Sequence, residues 1–393
     1  MAVIPINFLV ICNIDLNQKW GDYTRIFSIM KDLKKKGHEI TMFIIRPDIK
    51  KPRITHSIEN DIDVIEIHPP NFGFSGKKGI SRHLNYLACI PTVSNEASKI
   101  ISKKQIDYIY SYMPGTGSSV PAMRIKSKHG IPLILDLADM YSYIRPKIIL
   151  KKSFKASDKI LVITDYLKQK LLDQNIPENK IIHVPNGVDL ELFNPDKYSS
   201  DEINKIRSSF NADQIVVFSG SLQDLNILIN SAAIVIHSFP KVKFVIVGDH
   251  RDKKRSKIIW ERIVKEKNLE SNFLFLGKKP RNEIPKYILC ADVCVDTFPD
   301  EPYFAAAAPV KLLEYGACGK PVVATSVSET KKIVIHKKYG LLAKPSDFNE
   351  YAQHIIDLLS SDVLRKKMGN DFSQYIKSEY DWKKIVQKLE DNF

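Results

Sequence analysis

The chain predicts an α/β protein with two doubly wound parallel-sheet domains, on three observations. Short apolar, β-branched runs alternate with amphipathic helical stretches from end to end. The alternation is run through twice, with a proline-bounded linker near Pro185–Pro195 between the two series. At 393 residues the chain exceeds one ordinary core and suits two domains of usual size. Strands alternating with helices call for parallel sheets covered on both faces.

In the first series the apolar runs predict strands at Ile6–Asn13, Glu39–Ile45, Ile62–Ile67, Tyr108–Tyr112, Pro132–Asp136, Lys159–Thr164 and Ile181–Val184. Helical spacing fills Tyr23–Lys36, Arg82–Lys103, Ser118–His129 and Tyr166–Asn175 between them. The second series predicts strands at Ile215–Ser219, Val242–Val247, Phe273–Leu276, Asp292–Thr297 and Pro321–Thr325. Its helices are read at Asn226–His237, Ser256–Lys267, Asn282–Cys290, Val310–Cys318 and Asn349–Leu359.

Composition narrows the class. Hydrophobic residues make up 44% and charged residues 26%, the values of a globular protein in water. A formal charge of +14 suits an acidic partner: nucleotide phosphates, nucleic acid or an anionic membrane. Zinc spacing, recognition-helix motifs and RNA-stacking aromatics are missing, so no nucleic acid is expected. The five cysteines are scattered, and Cys290 and Cys294 lack a second pair at ligand spacing. That argues against a metal and for a reducing compartment. No run reaches the roughly 18 residues of a membrane span and the start lacks a leader pattern, so a cytoplasmic location is expected.

The stretch from Asp296 to Thr325 organises the rest. A strand end breaks at Pro299 and Pro302, four alanines follow, and a helix opens at Pro309 with Lys311, Glu314 and Tyr315 in its first two turns. A helix start after a loop at a strand's carboxyl end is a prepared anion site, to which Lys311 adds a charge. The alternative is a plain strand–helix–strand unit with solvent over the helix start.

Ligands of open α/β sheets bind outside the carboxyl ends of the strands. In the first domain that points to the loop Ile14 to Gly21, where Gly21 permits close approach while Asp22 reads equally as a helix cap. It also points to Asp136 and Asp139, which could orient a sugar hydroxyl, transfer a proton, or cap a helix. In the second domain the loops are Gly220–Leu225, Gly248–Lys254, Gly277–Arg281 and Ala305–Pro309. Each turn carries one glycine, so the dinucleotide fingerprint is absent and a nicotinamide enzyme is disfavoured.

The wording of VPNGVDLELFNP (184–195) with APVKLLEYGACGKPVV (308–323) resembles the retaining nucleotide-sugar glycosyltransferases of family 4, which have the GT-B fold. KKGHEITMF, ASDKILVITDYLKQKL, VVFSGSL, FVIVGD, FLGKKPRNEIPKYILCADVCVDTF and DWKKIVQKLED support it in order. The resemblance implies two Rossmann-like domains with an interdomain cleft: 1–184 for the acceptor, 185–370 for the nucleotide sugar, and a tail, 371–393, crossing back onto the first. It implies a nucleoside-diphosphate sugar as donor, a glycan or lipid-linked acceptor in polysaccharide or cell-envelope biosynthesis, and neither cofactor nor metal. Glu314 would bind the ribose. N–H groups around Ala308, Pro309, Val310, Lys311 and Leu312 would face the diphosphate. Gly277 and Lys278 would flank the base, and Gly21, Gly220 and Ser221 would lie by the donor. Asp136, Asp139 and Lys311 are the candidates for catalysis.

The chain departs from the family pattern. The first of two paired glutamates is Ala306, and the loop after Gly220 offers Ser221 and Asn226 where cations are usual. Asp136–Asp139 occupies the neighbourhood of a missing histidine. Lys311, Lys278 or Arg251 could replace the lost charge; otherwise the chain is an inactive GT-B partner or regulatory subunit. A sugar-nucleotide epimerase is disfavoured by the linker wording. Basic and apolar residues interleave at 145–157 (Arg145, Lys147, Ile148, Ile149, Leu150, Lys151, Lys152, Phe154, Lys155) and a second candidate lies at 71–87. Either suits peripheral contact with an anionic membrane, or a helix that packs on the sheet and solvates its lysines.

Overall fold

A computed structural model describes residues 4–16, 21–46, 53–68, 80–140, 147–250 and 256–393. The chain divides into two compact units, Met1–Pro185 with Ile385–Phe393, and Asn186–Lys384.

Unit 1 holds β1 (Asn7–Cys12), β2 (Glu39–Ile45), β3 (Arg53–Glu59), β4 (Ile62–His68), β5 (Tyr108–Tyr112), β6 (Leu133–Leu137), β7 (Lys159–Val162) and β8 (Ile181–His183). They form one sheet in the order β3-β4-β2-β1-β5-β6-β7-β8. All neighbours are parallel except β3 and β4. The expectation of a wholly parallel sheet is corrected here. RITHSIE is mostly exposed, so it lacks the apolar signature of a buried strand. It is joined to β4 through Asn60 and Asp61, both at positive φ (51° and 62°), the type I′ turn that matches the twist of a hairpin.

Leu9, Ile11, Phe43, Ile45, Ile109 and Leu133 bury against Tyr86, Val93 and Ala97 of helix Ile80–Ile101 and Ala122 and Ile125 of helix Ser119–His129. The last residues complete this unit. Glu390 accepts from Lys36 and pairs with His38 Nε2 at 2.8 Å. The Phe393 ring lies 5.4 Å from that of Phe8 and 5.3 Å from that of Tyr108.

Unit 2 holds β9 (Ile215–Ser219), β10 (Lys243–Val247), β11 (Phe273–Gly277), β12 (Val293–Asp296), β13 (Val322–Thr325) and β14 (Gly340–Ala343). The order is β11-β10-β9-β12-β13-β14, all parallel. Alternate residues serve opposite faces. Val216, Phe218, Val293 and Val295 enter a core with helices Asn226–Ser238 and Phe348–Leu359. Ile215, Val217 and Cys294 enter another with helices Val310–Ala317 and Asp362–Glu379. Burial on both faces explains why these strands read as continuous apolar runs.

Helix Lys147–Ala156 buries Leu150, Ser153 and Phe154 and exposes Lys147, Ile148, Lys151, Lys152 and Lys155. Packing therefore takes Leu150 and Phe154, two of the four apolar residues that the membrane reading needed, while Ile149 is half-buried and Ile148 exposed; Arg145 and residues 71–79 lie outside the described residues. Among the described residues no helix is long and apolar enough to cross a membrane.

Candidate active site

In unit 2 the strand order reverses between β9 and β12, which places a topological switch point at their carboxyl ends. Helix Val310–Ala317 begins there, capped by Pro309 in extended conformation (φ −72°, ψ 98°) rather than opening on it. Its first N–H groups have no intrahelical acceptor. Ala306 is fully buried, and Ala308 and Val310 are partly exposed around the helix start. Asn186 of the linker donates to the Ala308 carbonyl at 3.3 Å and so fixes the loop.

Two side chains of this helix reach strand ends, and a third reaches the turn that follows β11. Residues three and four apart share a helix face, which is why Lys311, Glu314 and Tyr315 act together. Lys311 Nζ lies 2.9 Å from Asp296 Oδ1 at the end of β12. The contact is an ion pair without hydrogen-bond alignment, since both Asp296 oxygens lack a hydrogen-bond partner among the described residues. The ammonium also sits 4.1 Å from the Phe218 ring and 5.0 Å from the Phe298 ring. A Cβ placed on Gly220 would lie 3.3 Å from Lys311 Cε and 3.8 Å from Nζ. Lys311 thus brings its charge to the loop where Ser221 and Asn226 bring none; Arg251 lies outside the described residues.

Tyr315 OH accepts from Ser219 N at 2.8 Å and ties the helix to the end of β9. Gly220 and Gly248 meet so closely that a Cβ on Gly248 would fall 1.8 Å from the Gly220 carbonyl oxygen. Their φ values of +127° and +140° also exclude ordinary side chains. The loop is therefore bare backbone with Ser221 exposed beside it.

Glu314 accepts from Arg281 Nη1 at 3.0 Å, just beyond the Gly277 turn at the end of β11. Burial raises the Glu314 carboxyl above the ordinary range, and Arg281 opposes that rise. The Arg281 guanidinium lies 5.4 Å from the Phe193 ring, and its Nη2 is buried with no hydrogen-bond partner among the described residues. Lys278 is exposed at the turn. Leu312 is fully buried and serves the core rather than the loop.

In unit 1 the expectation for Asp136 is corrected. Its carboxylate is fully buried at the end of β6, bound by Arg25 Nε at 3.2 and 3.0 Å, by Arg25 Nη2 at 3.0 Å and by Tyr110 OH at 2.6 Å. Arg25 also donates to the carbonyls of Val184 and Pro185. Burial works against the guanidinium's charge, and Asp136 outweighs it, holding Arg25 above its ordinary value. A saturated carboxylate without exposure cannot meet a substrate; it is a structural anchor. Asp139 is half-buried in the following loop, where its Oδ1 accepts from Met140 N at 2.7 Å. Asp22 falls inside helix Gly21–Lys35, its Oδ1 accepting from Tyr112 OH at 3.1 Å, and Gly21 is exposed at that helix start.

Sequence reasoning missed Asn186, Arg281 and the structural role of Tyr315. The signals were present: Asn186 lies in the quoted linker, and Tyr315 follows Glu314. Arg281 closes the Gly277–Arg281 loop and lies in the quoted FLGKKPRNEIPK stretch, but nothing there pointed to Glu314 as its partner.

Two family profiles together match most of the chain. One described as Glycosyltransferase Family 4 matches residues 24–192, and one described as Glycosyl transferases group 1 matches residues 199–377. An uncharacterized glycosyltransferase of Methanocaldococcus jannaschii is 28% identical over 295 residues, covering 73% of this chain and 75% of its own. A capsular polysaccharide biosynthesis glycosyltransferase of Staphylococcus aureus is 24% identical over 264 residues, covering 63% of each chain. Among solved structures, a Rickettsia africae glycosyltransferase matches with a TM-score of 0.76 at 17% identity, over 99% of this chain and 98% of its own. Anabaena HepE, solved with UDP-glucose, matches with a TM-score of 0.75 at 18% identity, over 98% of each.

Proposed function

This chain belongs to the group 1 glycosyltransferases of the family 4 type with the GT-B fold, and from that premise we propose that it moves a sugar from a nucleoside-diphosphate donor to a glycan or lipid-linked acceptor with retention at the anomeric carbon. UDP is the favoured base carrier, because HepE has been solved with UDP and with UDP-glucose. The acceptor is assigned to unit 1, where Asp139 is the remaining carboxylate candidate. Polysaccharide synthesis is the favoured setting, given the capsular relative.

The observation that carries the reading is Lys311 beside the Gly220 loop. The diphosphate would lie over the start of helix Val310–Ala317, its oxygens facing the N–H groups of Ala308, Val310 and Lys311. The bond from C1 of the sugar to the phosphate oxygen breaks and charge grows on that oxygen. Lys311, turning from Asp296, and the helix start stabilise it. The acceptor hydroxyl forms its bond to C1 on the same face, and its proton passes to the departing phosphate. No metal is required in this scheme, since Lys311 supplies the positive charge. Glu314 holds the ribose, with Arg281 keeping the carboxylate oriented. Gly277 and Lys278 flank the base, and Ser221 borders the donor.

A second reading, an inactive partner subunit, is favoured by Ala306 and by the uncharged Ser221 and Asn226. Calorimetric titration with UDP, GDP, ADP and their common sugars, with donor hydrolysis followed in the same samples, separates the two. Binding of one nucleotide family with slow hydrolysis, both lost in Lys311→Met, supports the enzyme. No binding at millimolar nucleotide overturns it in favour of the partner subunit.

A further inference from the structure

We propose that β3 is a self-association edge: two copies of this chain join antiparallel through Arg53–Glu59, extending the unit 1 sheet of each into the other. β3 stands at the end of its sheet, and among the described residues no other strand pairs with its outer side. Ile58 is 73% and Ile54 38% exposed, on a strand otherwise free of large apolar groups. A long edge of this kind is a template for pairing unless something blunts it.

The backbone says which groups are on offer. The two-residue turn at Asn60 and Asp61 makes Glu59 and Ile62 a hydrogen-bonded pair, in register with Ser57↔Val64 and Thr55↔Glu66. Alternation then turns the N–H and C=O groups of Ile54, His56 and Ile58 outward. An antiparallel pair centred on His56 brings these three into mutual register. Ile54 meets Ile58 of the second copy, His56 meets its own counterpart, and each pair exchanges both bonds.

The side chains of R-I-T-H-S-I-E read the same way in both directions under that register. Arg53 faces Glu59 of the second copy, Ile54 faces Ile58, and Thr55 faces Ser57. Opposite charges, apolar partners and hydroxyl partners thus pair on both faces of the joined ribbon, the cross-strand combinations that stabilise a sheet. A two-fold axis at His56 requires this self-complementarity, and an isologous dimer supplies it. The adjoining groove lined by His56, Ile58, Ile65, Ile100, Lys103 and Lys104 would continue across the axis.

Sedimentation velocity of the full chain over a wide concentration range tests the proposal. A monomer–dimer equilibrium is expected. His56→Pro should weaken it about tenfold or more by removing the paired bonds at the axis. The outward N–H makes that proline tolerable to β3 itself, and an unchanged circular-dichroism melt checks that the fold is kept. Arg53→Glu, which sets like charges opposite Glu59, should weaken the dimer independently. His56→Cys should give a covalent dimer on mild oxidation. The native cysteines are all buried, and burial pushes the Cys12 and Cys89 thiols up to about 12 and Cys290 to about 11, so none competes. A chain that stays monomeric at high concentration overturns the proposal, as does a dimer indifferent to both His56→Pro and Arg53→Glu.

Discussion

Each unit buries a cation against an aspartate at a strand's carboxyl end, and the two pairs are finished differently. In unit 1, Arg25 and Asp136 are saturated: the carboxylate takes Arg25 and Tyr110, and the guanidinium spends its other donors on the Val184 and Pro185 carbonyls. In unit 2, Lys311 and Asp296 touch at 2.9 Å without hydrogen-bond alignment, between two aromatic faces and against a bare glycine loop. A planar guanidinium suits a fixed, many-toothed clamp, whereas an ammonium on a flexible stem can change partners. The comparison teaches that burial and pairing alone do not mark a reacting charge. Under the proposed reading, what singles out Lys311 is bonding capacity left open towards a loop.

The sharpest way to break the contrast is Asp136→Ala. Taking the buried carboxylate from Arg25 should cost about 3–5 kcal/mol. Hydrogen exchange should show protection lost in β1, β5 and β6 while β9 to β14 keep theirs; loss in both units would mean that the anchor is not local. Lys311→Met separates two roles. Turnover should fall about 10²–10³-fold, the weight of one group stabilising developing charge, and stability should fall too, because Asp296 is left buried without its cation. Lys311→Met combined with Asp296→Asn should regain the stability but not the turnover; turnover regained along with stability would make Lys311 another anchor.

Glu314→Gln sharpens the picture through pH. Burial raises the Glu314 carboxyl, so the folded state holds that proton more tightly than the unfolded chain. Its contribution is complete below the ordinary carboxylate range and is lost as pH rises through the raised folded value. The wild-type should therefore lose stability relative to Glu314→Gln over that interval, and parallel urea titrations would read it. The smallest effect belongs to the exposed face of helix Lys147–Ala156. If that face meets anionic lipid, Lys151→Glu should weaken sedimentation with phosphatidylserine vesicles about fivefold. No change would leave the helix a packing element only.

Much of this arrangement was legible in the sequence because parallel strands buried on both faces leave long apolar runs, as Ile215–Ser219 and Val293–Asp296 do. β3 was not, because an edge strand half in solvent has no such run, and its turn residues Asn60 and Asp61 form no glycine signal. β14 was missed because Gly340–Ala343 sets only Leu341 and Leu342 between a glycine and an alanine, with no β-branched residue to signal a strand. Within the candidate site, the Pro309-to-Tyr315 stretch stood out by residue type, and Lys311 was named as a replacement charge. Asp136 was misread because a carboxylate at a strand end has the same spelling whether or not Arg25, 111 residues earlier, is folded onto it. Arg281 bounded a named loop, but its pairing was invisible for the same reason: its partner Glu314 is 33 residues on. Long-range pairing of polar groups leaves no periodicity to read.

The tail has a consequence for synthesis on the ribosome. Unit 1 needs Ile385–Phe393, yet Asn186–Lys384 comes between. At about 5–20 residues per second, roughly ten to forty seconds pass after Pro185 is made before Glu390 and Phe393 exist. Through that interval Phe8 and Tyr108 lack the Phe393 ring, and His38 lacks its carboxylate. The unit begun first is thus the one finished last, and a nascent chain halted before Ile385 presents an aromatic surface for chaperones to hold.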